Sequence, residues 1–213
     1  VPDIMTPPVT APGVDIYAAG ADEHYGHDVT GLAPSDFESM SGTSMSAPHT
    51  SGAGALLKSS HPTWTPDNIR SALMLTATSE GVTQPDGETQ ADLTNMGSGR
   101  IRVDIADKTG LIMNETAANY QAANPEEGGD PKTLNIPSAT NASCVGACSW
   151  TRTVTATMDG TWTAAGMNVS DGLEITVTPA DFTLAAGESQ VITINVDAMS
   201  AQSDVWSYGH VVM

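Results

Sequence analysis

The residues best suited to chemistry lie in SGTSMSAPHTSGAGALL, Ser41 to Leu57. A hydroxyl, Ser44, follows Gly42 and Thr43 and precedes Met45, with Pro48 and His49 further on and small and apolar residues beyond. A serine at the start of a helix faces free backbone N–H groups and the positive end of the helix dipole. Two roles suit it there. As an N-cap it contributes about 1 kcal/mol; as a nucleophile it has its tetrahedral intermediate stabilised by those same N–H groups. Local physics leaves both open, the cap being the commoner use. His49 is near enough in sequence to suggest a base, but a helix turns through roughly 500° over that interval and carries the ring away from Ser44.

Two other groups carry ligand chemistry. The run DEHYGHD holds Asp22, Glu23, His24, His27 and Asp28. Its spacing matches no established ligand pattern, so a solvated loop is the preferred reading. If an ion did bind, the carboxylates would suit calcium, and no other cofactor is indicated. Cys144 and Cys148 stand in CVGACSW, far from any histidine cluster. A disulfide fits better than a metal site; closing so short a loop stabilises by about 2 kcal/mol and implies an oxidising compartment. The triplets beginning at Asn114, Asn141 and Asn168 would accept glycans only in a eukaryotic secretory pathway.

Helices and strands must position these residues. A helix is expected from Ser44 to about Ser59, ending before His61 and Pro62 because the residue before proline is biased away from helix. Its small residues, among them Ala47, Ser51, Gly52, Ala53, Gly54 and Ala55, let it lie close against a sheet. In TWTPDNIRSALMLTA, Thr65 is an N-cap, Pro66 the first helical residue and Asp67 a first-turn acid. Ile69, Ala72, Leu73 and Thr76 then share one face. Asn114 to Lys132 is polar and punctuated by Pro125, Gly128, Gly129 and Pro131, as a linker or a lid over the junction would be.

Past the linker the period changes to two. SWTRTVTAT, TWTAAGMNV, LEITVTP and SQVITINVDA are separated by DG, DG and AAGE turns, the pattern of a β-sandwich. Trp150, Trp162 and Trp206 are expected as its core aromatics. The final SYGHVVM reads as a strand with no turn after it, so that the sandwich is cut short at Met213.

Bulk composition narrows the function classes. The 213 residues contain 7 Lys+Arg against 25 Asp+Glu, a net charge of -18, which repels nucleic acid and suits the soluble, acid-rich surface of a secreted protein. No segment approaches the roughly 18 to 20 apolar residues of a membrane span. The start, VPDIMTPPV, has neither a basic n-region nor an apolar h-region, as expected of a fragment or of a chain whose leader has been removed.

GTSMSAPH resembles the serine signature of the subtilisin-like serine proteases, in which GTSM is followed by a small residue, a variable one, then PH. PDIMTPPVTAPGVDIYAA is similar to that family's PD, APG and following strand, HPTWTPDNIRSALMLTA to its next helix, and GSGRIRVDIA to its closing segment. The β-rich half, SWTRTVTAT above all, resembles the fibronectin-III-like domain of larger members. The resemblance implies the C-terminal part of an α/β subtilisin-like catalytic domain over residues 1–111, a linker over 112–133 and an all-β fibronectin-III-like sandwich over 134–213.

Carried over residue by residue, it implies that Ser44 is the nucleophile and that its own N–H contributes to the oxyanion hole, with Gly42 and Thr43 shaping the turn. Met45 becomes an oxidation-sensitive neighbour, Pro48 a first-turn proline with no helical bond to lose, and His49 a structural, buried residue. The family also needs a histidine base, an orienting aspartate and an asparagine. None of His24, His27, His49, His61 or His210 lies in its HGT motif. The implied function is a secreted serine endopeptidase acting through an acyl-enzyme at Ser44. The base, orienter and asparagine come from upstream residues absent from this chain, which alone is expected to be inactive. Its partners are then a protein or peptide substrate and the rest of its own catalytic domain. The alternative is an inert fragment or pseudoprotease whose sandwich binds or stabilises.

Overall fold

The computed structural model describes residues 3–20, 37–84 and 86–213. It begins with an antiparallel strand pair, β1 (Ile16–Ala19) and β2 (Phe37–Met40), which leads directly into α1 (Thr43–Ser60). The glycine and small residues of α1 form no continuous apolar stripe, and only Ala53 and Leu57 are buried. The helix stops at His61, whose N–H donates to the Leu57 carbonyl. Lys58 Nζ donates to the carbonyls of Pro62 and Trp64, both at 2.8 Å, which folds the chain back across the helix end.

Helix α2 (Pro66–Leu75) starts as its sequence predicts. Thr65 Oγ1 accepts from the Asn68 N–H at 3.1 Å, while Asn68 Oδ1 accepts from the Thr65 N–H at 3.0 Å, a reciprocal cap. Ala72 and Leu73 are buried as expected, and Thr76 is the buried C-cap, its hydroxyl on the Ala72 carbonyl. Two short helices follow, α3 (Leu93–Met96) and α4 (Val103–Ala106). Ala11, Ala53, Leu57, Trp64, Ala72, Leu73, Ile101 and Ala106 form the core of this half.

Residues 112–133 carry the end of β3 (Leu111–Ile112), helix α5 (Ala117–Ala122) and 3-10 turns at Pro125–Glu127 and Pro131–Thr133. They pack on both halves. Met113 lies in the sandwich core, while its N–H donates to Ser71 Oγ of α2 at 2.9 Å and its carbonyl accepts from Asn68 Nδ2 at 3.0 Å.

The second half is all β: β4 (Ala147–Ala156), β5 (Gly160–Thr163), β6 (Ala165–Asn168), β7 (Glu174–Thr178), β8 (Asp181–Leu184), β9 (Ser189–Asp197) and β10 (Gly209–Val212). One antiparallel sheet has the order β3-β4-β9-β7; β5 pairs with β8 and β6 with β10. TWTAAGMNV, read as one strand, is split at Ala164, which is buried and donates to the Ala180 carbonyl at 2.6 Å, so the chain leaves one sheet for the other. Val154, Ile192, Val177, Phe182 and Leu184 fill the space between, with Leu111 and Met113. Trp150 is buried, and Trp162 packs half-buried on Phe182. Trp206 departs from the expectation: it is 50% exposed, because it lies in the loop before β10, outside any paired strand.

Candidate active site

Ser44 occupies the second position of α1, not the cap. The N-cap is Gly42, which has no side chain to offer; its carbonyl accepts from the N–H groups of Met45 at 3.0 Å and Ser46 at 3.3 Å. Its φ of 149 lies in the region that favours glycine. The capping reading of Ser44 is thereby removed. Among the described residues, the Ser44 hydroxyl and the N–H groups of Thr43 and Ser44 have no hydrogen-bond partner, and Thr43 and Ser44 are both exposed.

The turn is held from the run Thr10–Asp15. Gly42 N–H donates to the Gly13 carbonyl at 2.7 Å, and Ser46 Oγ donates to the Ala11 carbonyl at 2.8 Å. Ser41 Oγ accepts from the Asp15 N–H at 2.8 Å. This run is itself fixed on its other side, since Thr10 N–H donates to the Gly99 carbonyl and Ile101 N–H to the Thr10 carbonyl. A Cβ on Gly13 would sit 2.8 Å from the Gly42 carbonyl oxygen and 3.2 Å from Ser46 Cβ. The two segments therefore meet only because residue 13 lacks a side chain. The sequence reading gave Ala11, Gly13 and Ser46 no role; the glycine in APG was the available signal.

Two expectations about the neighbours need correction. Pro48 is the sixth residue of α1, inside the helix, so its missing N–H leaves the Ser44 carbonyl without a helical donor. The helix starts one residue before Ser44 and puts Pro48 beyond the first turn. His49 is exposed, not buried: its ring Nδ1 lies 2.8 Å from the Met45 carbonyl oxygen, on a face of α1 that no described element covers. That contact turns the ring along its own helix, and nothing engages it with Ser44. Met45 is half-buried beside the serine.

The run Asp22 to Asp28 lies outside the described residues. Among the described ones, no group of three or more His, Cys, Asp or Glu is placed to hold a metal. Cys144 and Cys148 form a disulfide with their Cα atoms 5.8 Å apart, at the start of β4. No helix among the described residues is long and apolar enough to cross a membrane.

Residues 2–99, which include the whole Ser44 turn and the run that holds it, match the subtilase family, and residues 133–213 match a fibronectin type-III domain. Residues 2–99 belong to the subtilase family. The chain is 34% identical to the subtilisin-like protease SBT1.7 of Arabidopsis thaliana over 99% of its own length and 33% of that protein. It is 38% identical to SBT1.6 of the same plant over 67% of this chain and 20% of that one. A CO(2)-response secreted protease of Arabidopsis thaliana is 37% identical over 55% of this chain. The chain thus spans a third or less of the length of these relatives. Fervidolysin from Fervidobacterium pennivorans, a keratinolytic enzyme, superposes with a TM-score of 0.33 at 17% identity, covering 89% of this chain and 23% of its own, too loose a fit to bear on the site.

Proposed function

We propose that this chain is the serine-bearing portion of a secreted serine endopeptidase that hydrolyses peptide bonds through an acyl-enzyme at Ser44. The observation that carries the reading is the Ser44 hydroxyl, exposed and unbonded one residue inside a glycine-capped helix. Gly42 holds the cap position, so capping does not account for Ser44. In the proposed reaction the hydroxyl attacks the substrate carbonyl, and the Ser44 N–H donates to the oxyanion that forms. A histidine takes the Ser44 proton and delivers it to the departing amine; an aspartate orients that histidine, and an asparagine completes the oxyanion hole. These three come from residues outside this chain, which in isolation is inactive.

Replacement of Ser44 by alanine in the complete protein is expected to lower peptide hydrolysis by roughly 10⁶-fold, the scale of losing a triad nucleophile. Unchanged hydrolysis in Ser44→Ala would overturn the assignment. The second reading is an inert module that binds or stabilises through its sandwich. A complete protein that folds but hydrolyses nothing would establish it.

A further inference from the structure

We propose that Asp3 is a positioning residue through which the β-sandwich helps to set the segment that holds the Ser44 turn. The inference rests on the protease reading above and assigns the sandwich a part in it.

The Asp3 carboxylate is tied at both oxygens to the second half of the chain. Oδ1 accepts the Ala142 N–H at 2.8 Å, and Oδ2 lies 3.6 Å from Lys132 Nζ. The next side chain, Ile4, packs on the small cluster of Ala123, Leu134 and Ile136. These partners belong to a segment that is held in turn from β4. Arg152, 2% exposed, donates from Nε to the Ile136 carbonyl at 2.7 Å, from Nη2 to that of Ser138 at 2.7 Å and from Nη1 to that of Lys132 at 3.2 Å.

Charge makes this placement specific. Residues 112–213 contain eleven acidic residues and two cationic ones, Lys132 and Arg152. Both cations are at this junction, Lys132 between the carboxylates of Asp130 at 3.0 Å and Asp3 at 3.6 Å, and Arg152 on the carbonyls of the segment that grips Asp3. On the far side of Asp3 the chain runs through Pro8, whose carbonyl accepts from Ser98, to Ala11 and Gly13, whose carbonyls hold Ser46 and Gly42. The segment therefore has three anchors: the sandwich at Asp3 and Ile4, residues 98–101 at Pro8 and Thr10, and the nucleophile's turn at Ala11 to Gly13. Loosening the sandwich end removes one of these three anchors, and small displacements of a nucleophile cost rate out of proportion to stability.

The test uses the complete protein, with kcat and KM on a peptide substrate measured well below the melting temperature of each variant. Asp3→Ala and Lys132→Met are each expected to lower kcat by roughly tenfold or more with KM within about twofold, and the double variant to lose no more than the worse single one. Asp3→Asn keeps the acceptor for Ala142 and is expected to recover part of the loss. It also serves if Asp3→Ala does not fold. Unchanged kcat in folded Asp3→Ala and Lys132→Met, with only the melting temperature lowered, would show Asp3 to be a stabilising residue and overturn the proposal while leaving the protease reading intact. A wild-type protein that hydrolyses no peptide overturns both.

Discussion

Ser46 Oγ donates to the Ala11 carbonyl at 2.8 Å, joining residues 35 positions apart and fixing the first turn of the helix that presents Ser44. The bond stands beside the one from Gly42 N–H to the Gly13 carbonyl, so the same short segment holds both the cap and the first turn. Ser46→Ala removes a partly buried donor and is expected to cost about 1 kcal/mol in denaturant unfolding.

Gly13→Ala should be the more damaging change. Its Cβ would be 2.8 Å from the Gly42 carbonyl oxygen, which accepts the Met45 and Ser46 N–H groups, so the segment or the cap must move. A loss of about 1–3 kcal/mol is expected, the range for overpacking a close contact, together with weaker labelling of Ser44 by active-site reagents.

How much of this was legible in the sequence varied with the kind of signal. The start of α2 was readable from Thr65 and Pro66, because a cap and a first-turn proline act locally. The sandwich was readable from its period-two runs, although the break at Ala164 was not, since leaving a sheet depends on the Ala180 carbonyl across the fold. The helix of Ser44 was found, but its first residue was placed one position late, which mistook Ser44 for a possible cap and Pro48 for a first-turn residue. Arg152 was invisible: within SWTRTVTAT it looks like one more polar member of an alternating strand. Only the structure places its guanidinium among the carbonyls of Lys132, Ile136, Ser138 and Thr151.

Arg152 also yields a stability prediction. Burial pushes its guanidinium down to about 10, the nearby Glu115 opposing that shift. It therefore stays charged at neutral pH, and its removal leaves buried carbonyls without donors. Arg152→Ala is expected to destabilise by about 3 kcal/mol or more. A lysine there cannot reach carbonyls on several sides, so Arg152→Lys should recover little of the loss.

Glu115 gives the acid limb of the stability profile. Burial pushes its carboxyl up, yet the N–H groups of Asn135 and Thr116, the Asn119 side-chain amide and the charge of Arg152 together hold it below the ordinary glutamate value of 4.5. A carboxyl lowered on folding adds stability that is complete above its unfolded pKa and is lost as pH falls through the folded one. Stability should therefore decline below about pH 4.5, and Glu115→Gln should flatten that decline while lowering stability at neutral pH. Thermal unfolding across pH 3 to 7 checks both effects.

A net charge of -18 makes self-repulsion a general cost of the compact state. Raising NaCl from about 0.05 to about 1 M shortens the screening length from over 10 Å to about 3 Å, so the melting temperature should rise over that range. A melting temperature that falls with salt would show that the few ion pairs, such as Lys132 with Asp3 and Asp130, outweigh the repulsion.

Fluorophosphonate labelling reads the nucleophile itself, with the complete protein and this 213-residue chain labelled in parallel and the modified residue mapped by mass spectrometry. One adduct is expected on Ser44 in the complete protein, none in its Ser44→Ala variant and none in the isolated chain. A folded, processed complete protein that takes no label, or takes it at another residue, would contradict the assignment of Ser44 as nucleophile.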